Sequence, residues 1–324
     1  MAERATPPPL GVPPMRTQFA DFRGSNQGAP KKGGIFGPIT AALVFGFKYI
    51  KILLSSGKFL LIGKMLLSMG ISIGFYAMGR GWAFGSIFVA LLFVHEMGHV
   101  WAARRIGLPV SAPMFVPFVG ALISMKRNPR GVAQESYVAM GGPIIGTLGC
   151  MVALTLAWTN QSAFLFQMAA VGFFLNLINL VPVSPLDGGR IIASVTPWLW
   201  LPGAMVMGAL LIWMNAWLFL LLIALMVKPQ LQRLFKGRDS DWRVYHTCTS
   251  RQRLYASGAW VAMVVVLGAL LAISLLGVGS PWHPLPGLAV MVGWPVCAIM
   301  GAVCFFTWPL EEPALRRIPQ GAWE

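Results

Sequence analysis

His95 and His99 stand four residues apart in the run His95-Glu96-Met97-Gly98-His99. On a helix, positions i and i+4 share a face, so two imidazoles at this spacing can bind one metal ion, and H-E-x-x-H is a zinc-binding pattern. Glu96, beside that face, is the candidate general base for water activated by the metal. Phe88–Val94 contains no polar residue, and an apolar span that takes in two histidines and a carboxylate needs a reason. A polar packing network is the alternative; metal binding accounts better for the residue types and their spacing. Catalytic zinc also needs a third protein ligand and an open position. Between Gly33 and Val227 the only carboxylates are Glu96, Glu135 and Asp187. Glu135 follows the basic run Lys126–Arg130 and reads as a first-turn acid favoured by the helix dipole. Asp187 follows Pro182 and Pro185 and precedes Gly188 and Gly189. These residues break a helix and can turn a carboxylate into a cavity. Asp187 is the expected third ligand, with a helix-end turn residue as the alternative.

Other polar positions carry weaker signals. Asn176 lies one turn before Asn179 and divides evenly between packing and function. Arg190 reads as a membrane anchor whose head reaches the interface. Gly141–Gly146 reads as close helix packing by small residues. His246 and His283 read as loop residues.

The elements that must position these groups are membrane helices. Of 324 residues, 56% are hydrophobic and 11% charged, and the mean hydropathy is +0.69. Soluble domains carry about 25% charged residues, so a water-facing surface is excluded. The net charge of +15, from 25 Lys and Arg against 10 Asp and Glu, fits basic loops between spans rather than a nucleic-acid partner. Four cysteines make no disulfide framework, and Cys248 in a basic stretch suits a reducing compartment.

The fold expected is an all-α polytopic membrane protein of about six or more transmembrane helices. Spans are expected over Phe59–Met78, Trp82–Ala103, Tyr255–Val278 and Pro286–Trp308, with two more in Ser136–Ser184, divided at Asn160-Gln161-Ser162. Ile191–Val227 is long enough for a hairpin turning near Asn215. Ser111–Met125 is apolar but short, and Pro113, Pro117 and Gly120 interrupt it. It reads as a re-entrant, β-like hairpin after the helix of the HExxH motif, tolerated at membrane depth only beside a cavity. The domain reading is a disordered basic and Pro-rich arm over 1–34, a membrane core over 35–227, a basic cytoplasmic loop over 228–254, C-terminal spans over 255–308 and a tail over 309–324. Within the core, Gly33–Leu54 is expected to lie in the interface. Positive-inside bias puts Arg104, Arg105, Lys126, Arg127 and Arg130 on one side with the basic loop and with Arg316 and Arg317.

The two motifs together, H-E-x-x-H in one apolar span and N-x-x-P-x-x-P-L-D-G-G from Asn179 about 90 residues later, resemble the site-2 protease family of intramembrane zinc metalloproteases. Gly142-Pro143-Ile144-Ile145-Gly146 is similar to that family's G-P-x-x-G element. Pro117-Phe118-Val119-Gly120-Ala121 is similar to its membrane re-entrant β segment. The motifs fall within about residues 59–190. The resemblance implies one Zn²⁺ per chain on His95, His99 and Asp187, a catalytic Glu96, and Asn179 holding substrate or oxyanion. It implies hydrolysis within the bilayer of transmembrane helices of other proteins. The substrate would unwind locally and pair with the edge of the Ser111–Met125 segment. It further implies the plasma (cell inner) membrane, with the site near the cytoplasmic side. Trp158–Ser162 is too short for a PDZ insertion, and the 16 residues after Trp308 are too few for a regulatory domain, so a compact type is expected. A CAAX-type metalloprotease would need a Glu ligand, and none occurs between Glu135 and Glu311. A membrane transporter or scaffold could use the same His/His/Asp cluster for metal, but would not need Glu96 as a base.

Overall fold

With so few charges to face water, the backbone must satisfy its own hydrogen bonds, and helices carry most of the chain. The computed structural model describes residues 61–310 apart from 118–119, 124, 126, 237–243 and 281. The expected arm over 1–34, the segment Gly33–Leu54, the centre of the basic loop and the tail with Arg316 and Arg317 lie outside the described residues. α1 (Leu61–Arg80) and α2 (Trp82–Arg105) meet at Gly81, where φ is 85°. A hairpin of β1 (Met114–Val116) and β2 (Gly120–Leu122) follows, antiparallel, with Phe115 opposite Ala121. Then come α3 (Val132–Thr159), α4 (Ala163–Asn179), the short α5 (Asp187–Ala193) and a 3-10 turn at Pro197–Leu199. α6 (Trp200–Trp213), α7 (Trp217–Lys236), α8 (Ser250–Gly279) and α9 (Pro284–Thr307) complete the order.

Five of the described helices, α1, α2, α3, α8 and α9, are long and apolar enough to cross a membrane. The architecture is thus all-α and polytopic, with one small hairpin. α4 is shorter, at 17 residues, because the Ser162 hydroxyl caps its start, accepting from the Leu165 N–H at 3.4 Å, and the Pro-rich run ends it. The chain between α6 and α7 reverses at Asn215, whose φ is 53°. α7 runs on through Lys236, past the point where charges begin at Lys228.

α3 is the central helix. It packs against α2, α4, α5, α8 and α9, and 72% of its span is buried, against 11% for α1 at the periphery. Where α2 crosses α3 the backbones touch: a Cβ on Gly98 would meet the Gly141 carbonyl, and one on Gly141 would lie 2.8 Å from the Ala102 Cβ. Several contacts gather one end of the bundle. The Arg105 guanidinium lies 4.2 Å over the Phe306 ring, the Gln252 side-chain N–H donates to the Pro309 carbonyl at 3.0 Å, and Tyr245 reaches Glu135 at the start of α3. Arg104, Arg105, Arg130, Arg251 and Arg253 therefore flank the same end.

The hairpin sits at the middle of two spans. Phe115 is buried against Val89 and Leu92 of α2, and its N–H donates to the Ser68 hydroxyl of α1 at 3.2 Å. Ser68 in turn donates to the Met65 carbonyl at 2.9 Å. Since the Phe115 N–H points away from β2, Phe115 and Ala121 form a pair without mutual hydrogen bonds. The backbone N–H and C=O of Ala121 accordingly point away from β1.

Candidate metal centre

α2 presents His95 and His99 one turn apart on the face that meets α3. Asp187 reaches them from the first position of α5. His95 Nε2 lies 3.1 Å from Asp187 Oδ2, His99 Nε2 lies 3.2 Å from the same oxygen, and the two Nε2 atoms are 3.1 Å apart. Three residues distant in sequence thus turn one ligand atom each into one small triangle, all of them buried.

The other ring nitrogens explain why these three atoms do not simply hydrogen-bond. His95 Nδ1 is 2.8 Å from Asn176 Oδ1. The Asn176 amide nitrogen donates to the Gly172 carbonyl at 2.9 Å, so its oxygen is the atom that faces the ring, and His95 Nδ1–H donates to it. His99 Nδ1–H likewise donates to the Val138 carbonyl at 2.9 Å. In neutral rings the protons are committed at Nδ1. Both Nε2 atoms then offer bare lone pairs to a carboxylate oxygen, which is three acceptors and no donor. A cation resolves that arrangement. Tetrahedral zinc, with Zn–N of about 2.0–2.1 Å, separates its ligand atoms by about 3.3 Å, close to the observed edges. The donor set and the held Nδ1 atoms fit such an ion.

Glycines make room for the triangle. A Cβ on Gly142 would collide with His99 Nε2 and come within 2.7 Å of His95 Nε2, and one on Gly146 would collide with Asn176 Oδ1. The glycines of the Gly142–Gly146 run thus leave space for the ligand atoms and for the residue that orients one of them, besides close helix packing. Pro143 has no N–H to give the Ala139 carbonyl, next to the carbonyl that takes the His99 proton. α5 is seated equally closely. A Cβ on Gly189 would collide with the Ser184 N–H, and the Trp200 indole N–H donates to the Gly189 carbonyl at 2.9 Å.

Glu96 is half-buried on α2 beside the triangle. Among the described residues its carboxylate accepts no hydrogen bond. Asn179 closes α4, half-buried, one turn beyond Asn176. Glu135 does lie in the first turn of α3, but as more than a solvated acid. One oxygen accepts from the Tyr245 hydroxyl at 2.6 Å, and the other is 3.6 Å from Arg190 Nε. Arg190 therefore has a protein partner rather than serving only as a membrane anchor.

The profile of peptidase family M50 matches residues 83–162 and 155–223, the stretch that runs from α2 through α7's first turns and contains the whole triangle. That stretch carries the signature of peptidase family M50, the site-2 protease family. A zinc metalloprotease of Methanocaldococcus jannaschii is 27% identical over 123 residues, 34% of this chain and 35% of its own length. Two further relatives are provisionally named zinc metalloproteases. One, from Synechocystis sp., is 30% identical over 150 residues, 42% of this chain and 39% of its own length. The other, Rip3 of Mycobacterium tuberculosis, is 31% identical over 131 residues, 37% of this chain and 32% of its own length. The chain thus spans about a third to two-fifths of the length of these curated relatives. No solved structure matches it. Together with the M50 match, the five long apolar helices among the described residues make the chain an integral, multi-pass membrane protein.

Proposed function

We propose that this M50 protein is an intramembrane zinc metalloprotease that hydrolyses peptide bonds in transmembrane segments of other membrane proteins, in the manner of regulated intramembrane proteolysis. The observation that carries the reading is the buried triangle of His95 Nε2, His99 Nε2 and Asp187 Oδ2, all within 3.2 Å of one another, beside a Glu96 carboxylate that accepts no hydrogen bond among the described residues. His95, His99 and Asp187 hold one zinc ion. When bound, zinc supplies Lewis acidity that lowers the pKa of water towards about 7 and polarises a carbonyl. Glu96 takes a proton from the attacking water and later delivers it to the leaving amine. Asn179 offers its side-chain N–H to the developing oxyanion.

The substrate is a helix whose carbonyls are closed in its own hydrogen bonds, so it unwinds before cleavage. The outward-facing backbone of Ala121 is the edge along which the unwound strand pairs, because the opposite edge of the hairpin is taken at Phe115 by Ser68. The end of the bundle flanked by Arg104, Arg105, Arg130, Arg251 and Arg253 is cytoplasmic under the positive-inside rule, and the membrane is the cell's inner one. His99 lies six residues before Arg105, about 9 Å along the helix, which puts the site towards that side. Residues 35–227 serve as the protease core and 255–308 as its C-terminal buttress.

Glu96→Gln tests the reading. Purified protein carrying it should retain zinc, trap an uncleaved membrane protein identifiable by mass spectrometry, and lose at least about 10²-fold in the rate of cleaving it. Cleavage at the parent rate would sink the role of Glu96, and metal uptake without any cleavage by the parent protein would favour a metal carrier.

A further inference from the structure

The contact between Tyr245, on the segment leading into α8, and Glu135 bridges 110 residues of sequence and is not part of the triangle. Through Glu135 it continues to Arg190 on α5, the helix that carries Asp187. α5 has only seven residues and no side-chain cap at its start, and so short a helix does not hold its own orientation. Its backbone is held by the Trp200 indole at Gly189, and the Ser136 hydroxyl, 2.8 Å from the Val132 carbonyl of its own helix, also lies 3.0 Å from the Arg190 carbonyl. Glu135, the residue before Ser136, meets the Arg190 side chain. Two adjacent residues of α3 therefore lie against Arg190, Ser136 at its backbone and Glu135 at its side chain, one turn from Asp187. The Tyr245 hydroxyl completes the second grip by donating to the free oxygen of the same carboxylate at 2.6 Å, the short charge-assisted type of hydrogen bond. Burial, and then the Glu135 charge, push the Tyr245 phenol well above the usual tyrosine range, so it stays a donor at any physiological pH.

We propose that Tyr245, Glu135 and Arg190 form a positioning relay through which the turn at Tyr245, just before α8, sets the orientation of α5, and with it the affinity of the Asp187 site for metal. The relay rests on the reading of Asp187 as a metal ligand. It makes the loop on the basic end a lever on the metal centre: anything that draws Tyr245 away loosens Asp187 without touching a ligand.

The test is a zinc titration of the full-length protein in detergent against a chromophoric chelator, for Tyr245→Phe, Glu135→Gln and the double variant. Groups that touch a metal ligand cost 10–100-fold in affinity when removed. One contact further out, each single variant should cost about tenfold, at the low end of that range. The double variant should lose no more than the larger single loss, because the residues act in series. Arg190→Lys, which keeps the charge, should lose less than Arg190→Met. The thermal unfolding of the metal-free protein, which a merely structural contact would lower, should not move with Tyr245→Phe. A Tyr245→Phe affinity within about twofold of the parent, or single losses that multiply in the double variant, would overturn the relay. Asp187→Ala separates the two ideas: if it retains full zinc affinity, the ligand assignment fails rather than the relay.

Discussion

Asn176 shows how one side chain fixes the chemistry of another. Its amide nitrogen is held by the Gly172 carbonyl, and its oxygen therefore takes the His95 Nδ1 proton. That proton assignment leaves His95 Nε2 as a lone pair aimed at the triangle. Asn176→Leu keeps the branched shape and removes the acceptor. It should weaken zinc binding by about 10–100-fold in a competition titration, and parent-like affinity would mean that the ring is oriented by something else. In the sequence, Asn176 and Asn179 say only that they share a helix face. Which of them meets a histidine depends on how α4 crosses α2, and no residue type records that. The histidines themselves are legible because their spacing, four residues on one helix, already contains the geometry. Asp187 is legible because so few acids occur in the apolar chain. The Val138 carbonyl that receives the His99 proton leaves no trace in the sequence, since every residue has a carbonyl.

At the scale of elements, the α2–α3 crossing is set by glycine. With Gly98 against the Gly141 carbonyl, the two backbones approach as closely as the chain allows, bringing Gly142 over both Nε2 atoms. Gly98→Ala places a methyl against backbone that cannot turn aside. It should destabilise the protein by about 1–3 kcal/mol, the usual cost of overpacking, seen as a lower unfolding temperature. Gly142→Ala aims its methyl at the ligand atoms instead. It should abolish zinc retention with a smaller change in the unfolding of the metal-free protein, a contrast that global misfolding would erase. Most ends of the long apolar helices are read from sequence to within two residues, because twenty apolar residues admit few other structures, but α3 starts at Val132 and α8 at Ser250, ahead of the apolar runs from Ser136 and Tyr255. α7 departs at its C-terminal end. Its apolar run stops at Lys228, while Gln, Arg and Leu, good helix formers, carry the helix on to Lys236 in spite of Pro229. α5 and the 3-10 turn after it are too short to show any period.

For the molecule as a whole, the metal ligands come from two elements, α2 and α5, that meet around the central α3. An ion bound there ties the N-terminal half of the core to the segment after α4. A ligand of the folded state at about 100 times its Kd stabilises by about 2.7 kcal/mol. Chelation should therefore lower the unfolding midpoint of the parent protein and leave that of Asp187→Ala unmoved; equal shifts in both would place the stabilising ion elsewhere. The hairpin has a consequence for the bilayer itself. Hydrocarbon offers no partner to the backbone groups that Ala121 turns away from β1, and leaving each one bare there costs several kcal/mol. Whenever no other chain covers that strand, solvent should stand in, giving a hydrated notch in the bilayer beside α1 and α2. The amide of Ala121 should then trade its hydrogen for deuterium far sooner than those of α3 at the same depth, and the surrounding lipid should thin or rearrange around a permanent defect.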